Sequence, residues 1–340
     1  MQIYSEVVLI FATAMRPTRI LVIRFSSMGD IVLTSPVIRR LAQQLEGETE
    51  IHFLTKKAFS PLLENSPYIH QIHVIEKSVQ EVLPELEALD FDYVVDLHNN
   101  IRSRVVKRKL GRLNFTFNKL NLQKWLLVNL RINRMPDVHV VERYLDTISA
   151  FGTSDDGLGL DYFLPHELTI RNLKLPVDFV AVAVGAAHVG KRMQPTLIVD
   201  FCKKINLPVV LLGGKEDVEA GAAIAGQCAQ AIDLTGKLTI HQSAAVIREA
   251  RVVVSGDTGL MHIAAAFKKK IVSVWGCTSP ILGMAPYRPH KDSVIIEPHG
   301  RHRRPCSKLG NKCKYGNDNR CIDTVSSEEI AKAIETLWAQ

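Results

Sequence analysis

The 340-residue sequence has no short-period repeat and no low-complexity tract, which excludes a solenoid and a disordered chain. It also lacks a convincing targeting segment. The apolar run Val7 to Ala12 in MQIYSEVVLIFATAM follows an acid rather than a basic region, is too short to span a bilayer, and makes a poor signal peptide. The reading that follows is a start codon assigned too early, with Met15 opening MRPTRILVIRF, and a cytoplasmic protein. Tight cysteine pairs are missing as well. Cys202, Cys228 and Cys277 stand singly among apolar or small residues, as buried thiols do in a reducing compartment. Acids are absent from residues 98–135, which hold ten Lys and Arg; without those ten, the formal +7 of the chain becomes −3. The basicity is therefore local, the mark of a site for an anionic partner rather than of general nucleic-acid binding.

What is present is ordinary for a folded protein: 46% hydrophobic and 23% charged residues, in a chain long enough for two domains. Short β-rich runs at 19–25, 50–55, 71–76 and 91–97 alternate with helical segments such as SPVIRRLAQQL, the pattern of βαβ units and a parallel sheet. A proline-punctuated stretch from Pro165 to Pro176 reads as a linker. The pattern restarts at 178–185, 208–214, 231–236, 250–257 and 270–276, and a last helix opens at Ser326 or Ser327. The expected units are 15–165, 176–325 and a helix at 326–340. Doubly wound sheets bind ligands beyond the carboxyl ends of their strands, so the residues directly after each run carry the information.

Four stretches stand in such places or carry unusual composition. In VVVSGDTGLMHIAAAF, Asp257, Thr258, Gly259 and His262 open an apolar helix whose free N–H groups suit a phosphate. The plain alternative is an Asp or Thr N-cap with His262 as packing. In VGAAHVGKRMQP, Gly185 and Gly190 give backbone freedom, and Lys191 and Arg192 precede a helix starting at Pro195. Those cations could neutralise a diphosphate leaving group, or be a solvated pair on a loop. Asp30, after Gly29 and before IVLTSPVIRRL, is either an N-cap or a general base for an incoming hydroxyl. The basic stretch, with Arg102, Arg104, Lys107, Arg108 and the apolar Trp125, Leu126, Leu127 and Leu130, suits a surface resting on anionic lipid while holding a phosphorylated acceptor. A helix with a solvated face is its alternative.

No metal is expected in the reaction. The only candidate ligands are Cys306, Cys313 and Cys321, spaced too widely for a common zinc finger and without an evident fourth partner, although His299 and His302 lie near. They form either a structural metal or cysteine clip, or a reduced Gly/Asn-rich loop.

Taken in order, ILVIRFSSMGDIVLTSPVIRRLA, GKRMQP and SGDTGLMHIAAAFKKKIVSVWGCTSP resemble the bacterial heptosyltransferases of glycosyltransferase family 9 from Met15 onward. The resemblance implies a GT-B α/β architecture, two Rossmann-like domains facing across a cleft, with acceptor bound by the first and nucleotide sugar by the second. It implies transfer of L-glycero-D-manno-heptose from its ADP derivative to the inner core of lipopolysaccharide, with inversion and no obligatory cofactor, on the inner face of the inner membrane. Asp30 then matches the catalytic aspartate, Lys191 the lysine beside the donor phosphates, and Asp257, Thr258, Gly259 and His262 the donor-gripping motif, with Gly185 and Arg192 beside them. The cysteine triplet resembles a tail found in some members. One departure stands out: Lys191, Arg192, Met193, Gln194, Pro195 replaces the family's Lys-Arg-Trp-Pro. Three rivals remain from the residues: a transferase of another nucleotide sugar, a nucleotide-sugar epimerase or hydrolase, and a non-enzymatic module for anionic surfaces.

Overall fold

A computed structural model describes residues 16–300, 304–314 and 320–340. The expected start at Met15 and His302 fall outside the described residues.

The first domain is a parallel sheet of β1 (Thr18–Ile23), β2 (Thr49–Lys56), β3 (Gln71–Ile75), β4 (Tyr93–Asp96) and β5 (Leu113–Thr116) in the order β3-β2-β1-β4-β5. Its helices are α1 (Met28–Val32), α2 (Ser35–Gln44), α3 (Leu83–Ala88), α4 (Ile101–Leu110), α5 (Asn121–Trp125) and α6 (Val140–Leu145). The second domain has β6 (Val180–Ala183), β7 (Val209–Leu212), β8 (Ala231–Asp233), β9 (Val252–Ser255), β10 (Lys270–Val274) and β11 (Val294–Ile296), ordered β11-β10-β9-β6-β7-β8 and also parallel. Around it stand α7 (Pro195–Ile205), α8 (Val218–Ala225), α9 (Ile240–Glu249), α10 (Gly259–Ala266) and α11 (Ser327–Ala339).

The central strands are buried on both faces, which is why runs such as ILVI and VVLL read as continuous rather than alternating. Pro195 is the first residue of α7, where its missing N–H costs nothing, and Ser326 caps α11 by accepting from the Glu329 N–H. Ile330, Ile334 and Leu337 of α11 join the core of the second sheet, so this terminal helix is part of that domain. Residues 165–176 run between the sheets with a single 3-10 turn, Arg171–Leu173. The domains nonetheless share one apolar cluster, reaching from Ile20 and Val37 to Ile263 and Trp275.

Two strands were not expected from the sequence. β5 and β11 are edge strands of four and three residues, LNFT and VII, paired on one side only; so short a run carries no periodic signal. The basic stretch is therefore not one helix. It contains α4, β5, α5 and a π-helical turn at Leu126–Leu130.

Candidate active site

In each sheet the strand order reverses once, and the chain leaves the two strands at that point toward opposite faces, opening a crevice at their carboxyl ends. In the first sheet the reversal lies between β1 and β4, so residues 24–30 and 97–100 line it. In the second it lies between β6 and β9, so residues 184–192 and 256–258 line it. Asp30 belongs to the first set; Lys191 and Asp257 belong to the second.

Asp30 is not an N-cap. It occupies the third position of α1, while Ser27 caps the helix and donates both its N–H (3.1 Å) and its hydroxyl (2.8 Å) to Asp30 Oδ2. The other carboxylate oxygen pairs with Arg24 Nη2 at 2.8 Å. Arg24 is itself buried and donates to the Ser26 and Leu97 carbonyls and to the Tyr144 hydroxyl. Burial alone would raise the Asp30 carboxyl, but the Arg24 charge and the two Ser27 donors outweigh it and bring the pKa down to about 2. The group is an ionised acceptor at any physiological pH.

On the facing domain, Lys191 Nζ lies 2.7 Å from Asp257 Oδ2, and the Thr278 hydroxyl donates to the same oxygen at 3.0 Å. Thr258 caps α10, accepting from the Met261 N–H and sharing a hydrogen bond with Ser255. His262, one turn on, is 1% exposed, and burial lowers its pKa to about 4, so it is neutral; its Nδ1 has no hydrogen-bond partner among the described residues.

The two helix starts meet. A Cβ on Gly29 would lie 2.6 Å from His262 Cδ2, and one on Gly259 would lie 2.3 Å from Met28 Sδ. Gly259 therefore leaves room for Met28 of the other domain, and His262 packs against α1, which is the plain alternative foreseen for it. His262 also feels the charges of Asp257, Asp30 and Lys191, so both sets of candidate residues surround one imidazole.

The remaining residues divide. Gly185 sits under the Asp217 carboxylate, whose Oδ2 would be 1.9 Å from an added Cβ; its freedom serves a contact within the second domain rather than an open backbone approach. Arg192 Nε donates to the Ala186 carbonyl at 2.6 Å and so braces its own loop. Met193, in place of the family's aromatic, is buried in the second domain's core. Arg102, Arg104 and Arg108 are exposed on α4. Lys107 is not presented with them: its Nζ lies 2.9 Å from the buried Asp96 carboxylate and donates to the Thr116 hydroxyl at 2.6 Å.

Closer to Asp30 are groups the sequence did not single out. Burial, then Arg24 and Lys119, lower His98 to about 4, and its Nδ1 accepts from the Phe25 N–H. Lys119 is lowered by burial and by Arg24, and it feels Asp30 and Arg104. Lys124 is brought down to about 8 by burial and by Arg143, against the pull of Asp30. Lys119 and Lys124 lie in the acid-free stretch, so composition marked the segment without ranking its members.

Cys277 does not stand alone either. It joins Cys306, Cys313 and Cys321 in a cluster whose four sulfurs lie within 4.8 Å of one another, supplying the fourth member the spacing did not reveal. The larger of two described hollows, about 500 Å³, is lined by Asn65, Tyr162, Leu164 and Phe267 among others, and by none of the candidate residues.

Residues 196–314 match the model of glycosyltransferase family 9 (heptosyltransferase). Lipopolysaccharide heptosyltransferase 1 of Campylobacter coli is 23% identical, over 94% of this chain and 99% of its own length. Escherichia coli ADP-heptose LPS heptosyltransferase II superposes with a TM-score of 0.73 at 20% identity, covering 95% of this chain and 99% of that one. Escherichia coli heptosyltransferase WaaC with ADP superposes with a TM-score of 0.66 at 18% identity, covering 94% and 97%. The two facing parallel sheets are the GT-B architecture of these solved structures, and the match to the glycosyltransferase family 9 model lies in the second domain, across residues 196–314.

Proposed function

We propose that the protein is an inverting heptosyltransferase that moves a heptose from ADP-L-glycero-D-manno-heptose to an inner-core lipopolysaccharide acceptor. The observation that carries this reading is the meeting of the two switch points: an ionised Asp30 on one domain faces Lys191 and the start of α10 on the other. Curated relatives of this chain include lipopolysaccharide heptosyltransferases, and the solved structures similar to it include a heptosyltransferase complex with ADP.

In this reading Lys191 and the N–H groups at Thr258–Leu260 stabilise the departing ADP, a contribution that grows as the glycosidic bond breaks. Asp257 holds Lys191 in place until the diphosphate competes for it. Asp30 accepts the proton of the attacking hydroxyl on the opposite face of the sugar. A carboxylate near pKa 2 is a weak base for a free alcohol. It suffices when bond formation to an oxocarbenium-like carbon has already made the hydroxyl acidic, so proton transfer comes late. Lys119, Lys124 and the exposed Arg102, Arg104 and Arg108 bind the anionic acceptor. The same segment exposes Leu122, Trp125, Leu130 and Ile132, a mixture suited to the inner surface of the inner membrane. No described helix is long and apolar enough to cross a membrane.

Thermal unfolding with ADP, UDP, GDP and CMP tests donor recognition. At about ten times its dissociation constant a ligand adds about 1.4 kcal/mol, a shift of a few degrees. The shift is expected with ADP alone and reduced in Lys191→Ala. ADP-heptose consumption that requires a heptose-deficient lipopolysaccharide acceptor then separates transfer from hydrolysis or epimerisation. A shift with another nucleotide replaces the donor, and indifference to all four favours the non-enzymatic module.

A further inference from the structure

We propose that Cys277, Cys306, Cys313 and Cys321 hold one transition-metal ion of the zinc or iron kind in a tetrahedral thiolate site, and that this ion locks the loop presenting Lys191. Four sulfurs around an ion at about 2.3 Å stand about 3.8 Å from one another in a tetrahedron. The four observed sulfurs meet within 4.8 Å, three of the residues are buried, and all four cysteines are free of disulfides. Thiolates from four positions select zinc or iron over the hard cations, which prefer oxygen. The Cys306 sulfur also accepts the Lys314 backbone N–H, a donor that suits a thiolate better than a thiol.

The segment offers little else to hold it. Between Cys306 and Cys313 its one large apolar residue, Leu309, is 57% exposed, so the loop has no hydrophobic core of its own. Its order comes through the cysteines and the backbone bonds beside them. On binding, four thiols lose four protons to solvent and the ion takes their place, with no change of oxidation state.

The cluster lies directly under the donor loop. Cys277 N–H donates to the Gly190 carbonyl (3.0 Å), Gly190 N–H to the Gly310 carbonyl (3.1 Å), and Cys306 N–H to the Cys277 carbonyl (2.8 Å). A Cβ on Gly190 would lie 2.8 Å from Cys277 Sγ, and one on Gly310 would lie 2.8 Å from Lys191 Cγ. The neighbouring Arg320 reaches the Val189 carbonyl at 2.7 Å. On the other side, Arg131 donates to the Pro305 carbonyl and Lys308 to the Asn121 carbonyl, so the knot also touches the basic segment of the first domain. The site itself stands on the sulfur geometry; its effect on the donor rests on the function proposed for Lys191.

Elemental analysis of the purified full chain tests the site. About one equivalent of zinc or iron per chain is expected, reduced several-fold in Cys306→Ser and Cys313→Ser and unchanged in Cys202→Ser. Should the serine variants fail to fold, cobalt reconstitution of the wild type reads the same chemistry, giving thiolate charge-transfer and tetrahedral d–d bands. A metal-free wild type that takes up no cobalt overturns the site. For the lock, a mercurial with a chelator releases the ion, and the ADP-induced thermal shift is expected to fall while the far-ultraviolet circular dichroism is retained. An undiminished ADP shift after release overturns the lock and leaves the site; an ADP shift absent before release, with metal bound, overturns the donor reading instead.

Discussion

At Asp30 the surroundings decide the chemistry more than the residue type does. A carboxylate held by Arg24 and by two Ser27 donors stays charged and aimed, at the expense of basicity. Asp30→Asn is expected to lower turnover by about 10²-fold or more, with ADP binding nearly intact, since the group acts on the acceptor side. Wild-type turnover in that variant would sink the base assignment. The same change leaves Arg24 buried with three neutral partners, and a stability loss of about 3 kcal/mol should appear in urea denaturation. Sequence marked Asp30 because an acid follows Ser-Ser-Met-Gly at a strand end. It gave no sign of Arg24 in this role, because the contact depends on β1 and α1 folding back on each other.

Among the elements, the segment from α5 to its π-helical turn combines cations with apolar side chains that nothing among the described residues covers. Leu122 is 66% and Trp125 47% exposed, beside Lys119, Lys124 and Arg131. If this element rests on lipid, the double variant Leu122→Ser, Trp125→Ser should bind vesicles containing anionic lipid at least about tenfold more weakly in a sedimentation assay, the effect of losing one to two buried apolar side chains. Equal binding of wild type and variant, or equal binding to neutral vesicles, would remove the membrane surface from the proposal. Helix starts such as these were legible because they have local chemistry: Pro195, Thr258 and Ser326 all stand where caps or first-turn prolines belong. The edge strands β5 and β11 were not, since three or four residues paired on one side need a neighbour to define them.

Over the whole molecule, buried histidines set the response to acid. His52, His98, His139 and His262 are each lowered to about 4, with burial the largest cause in every case. A depressed histidine pKa means that the unfolded chain binds protons first: stability is complete above the unfolded value of 6.5 and is lost as pH falls toward 4. Each group contributes about 1 kcal/mol of loss between pH 7 and pH 5.5. The urea midpoint should fall steeply over that interval, well before Asp30, whose stabilising pair is lost only as pH falls through about 2. A flat midpoint from pH 7 to 5.5 would mean that these imidazoles are not held neutral.

The sequence by itself determined the two parallel sheets, the order of nine of their strands along the chain, the helix starts and the location of the candidate groups after strand ends. Those features follow from local apolar runs and capping chemistry, which neighbouring residues carry without help. Only the tertiary structure decided how those groups pair: Asp30 with Arg24, Lys191 with Asp257, Gly259 with Met28, and Cys277 with three cysteines that follow it by 29 to 44 residues. Each of these is a contact between elements whose distance along the chain says nothing of their distance in space. Crossovers at the two switch points and the apolar contact between domains bring them together.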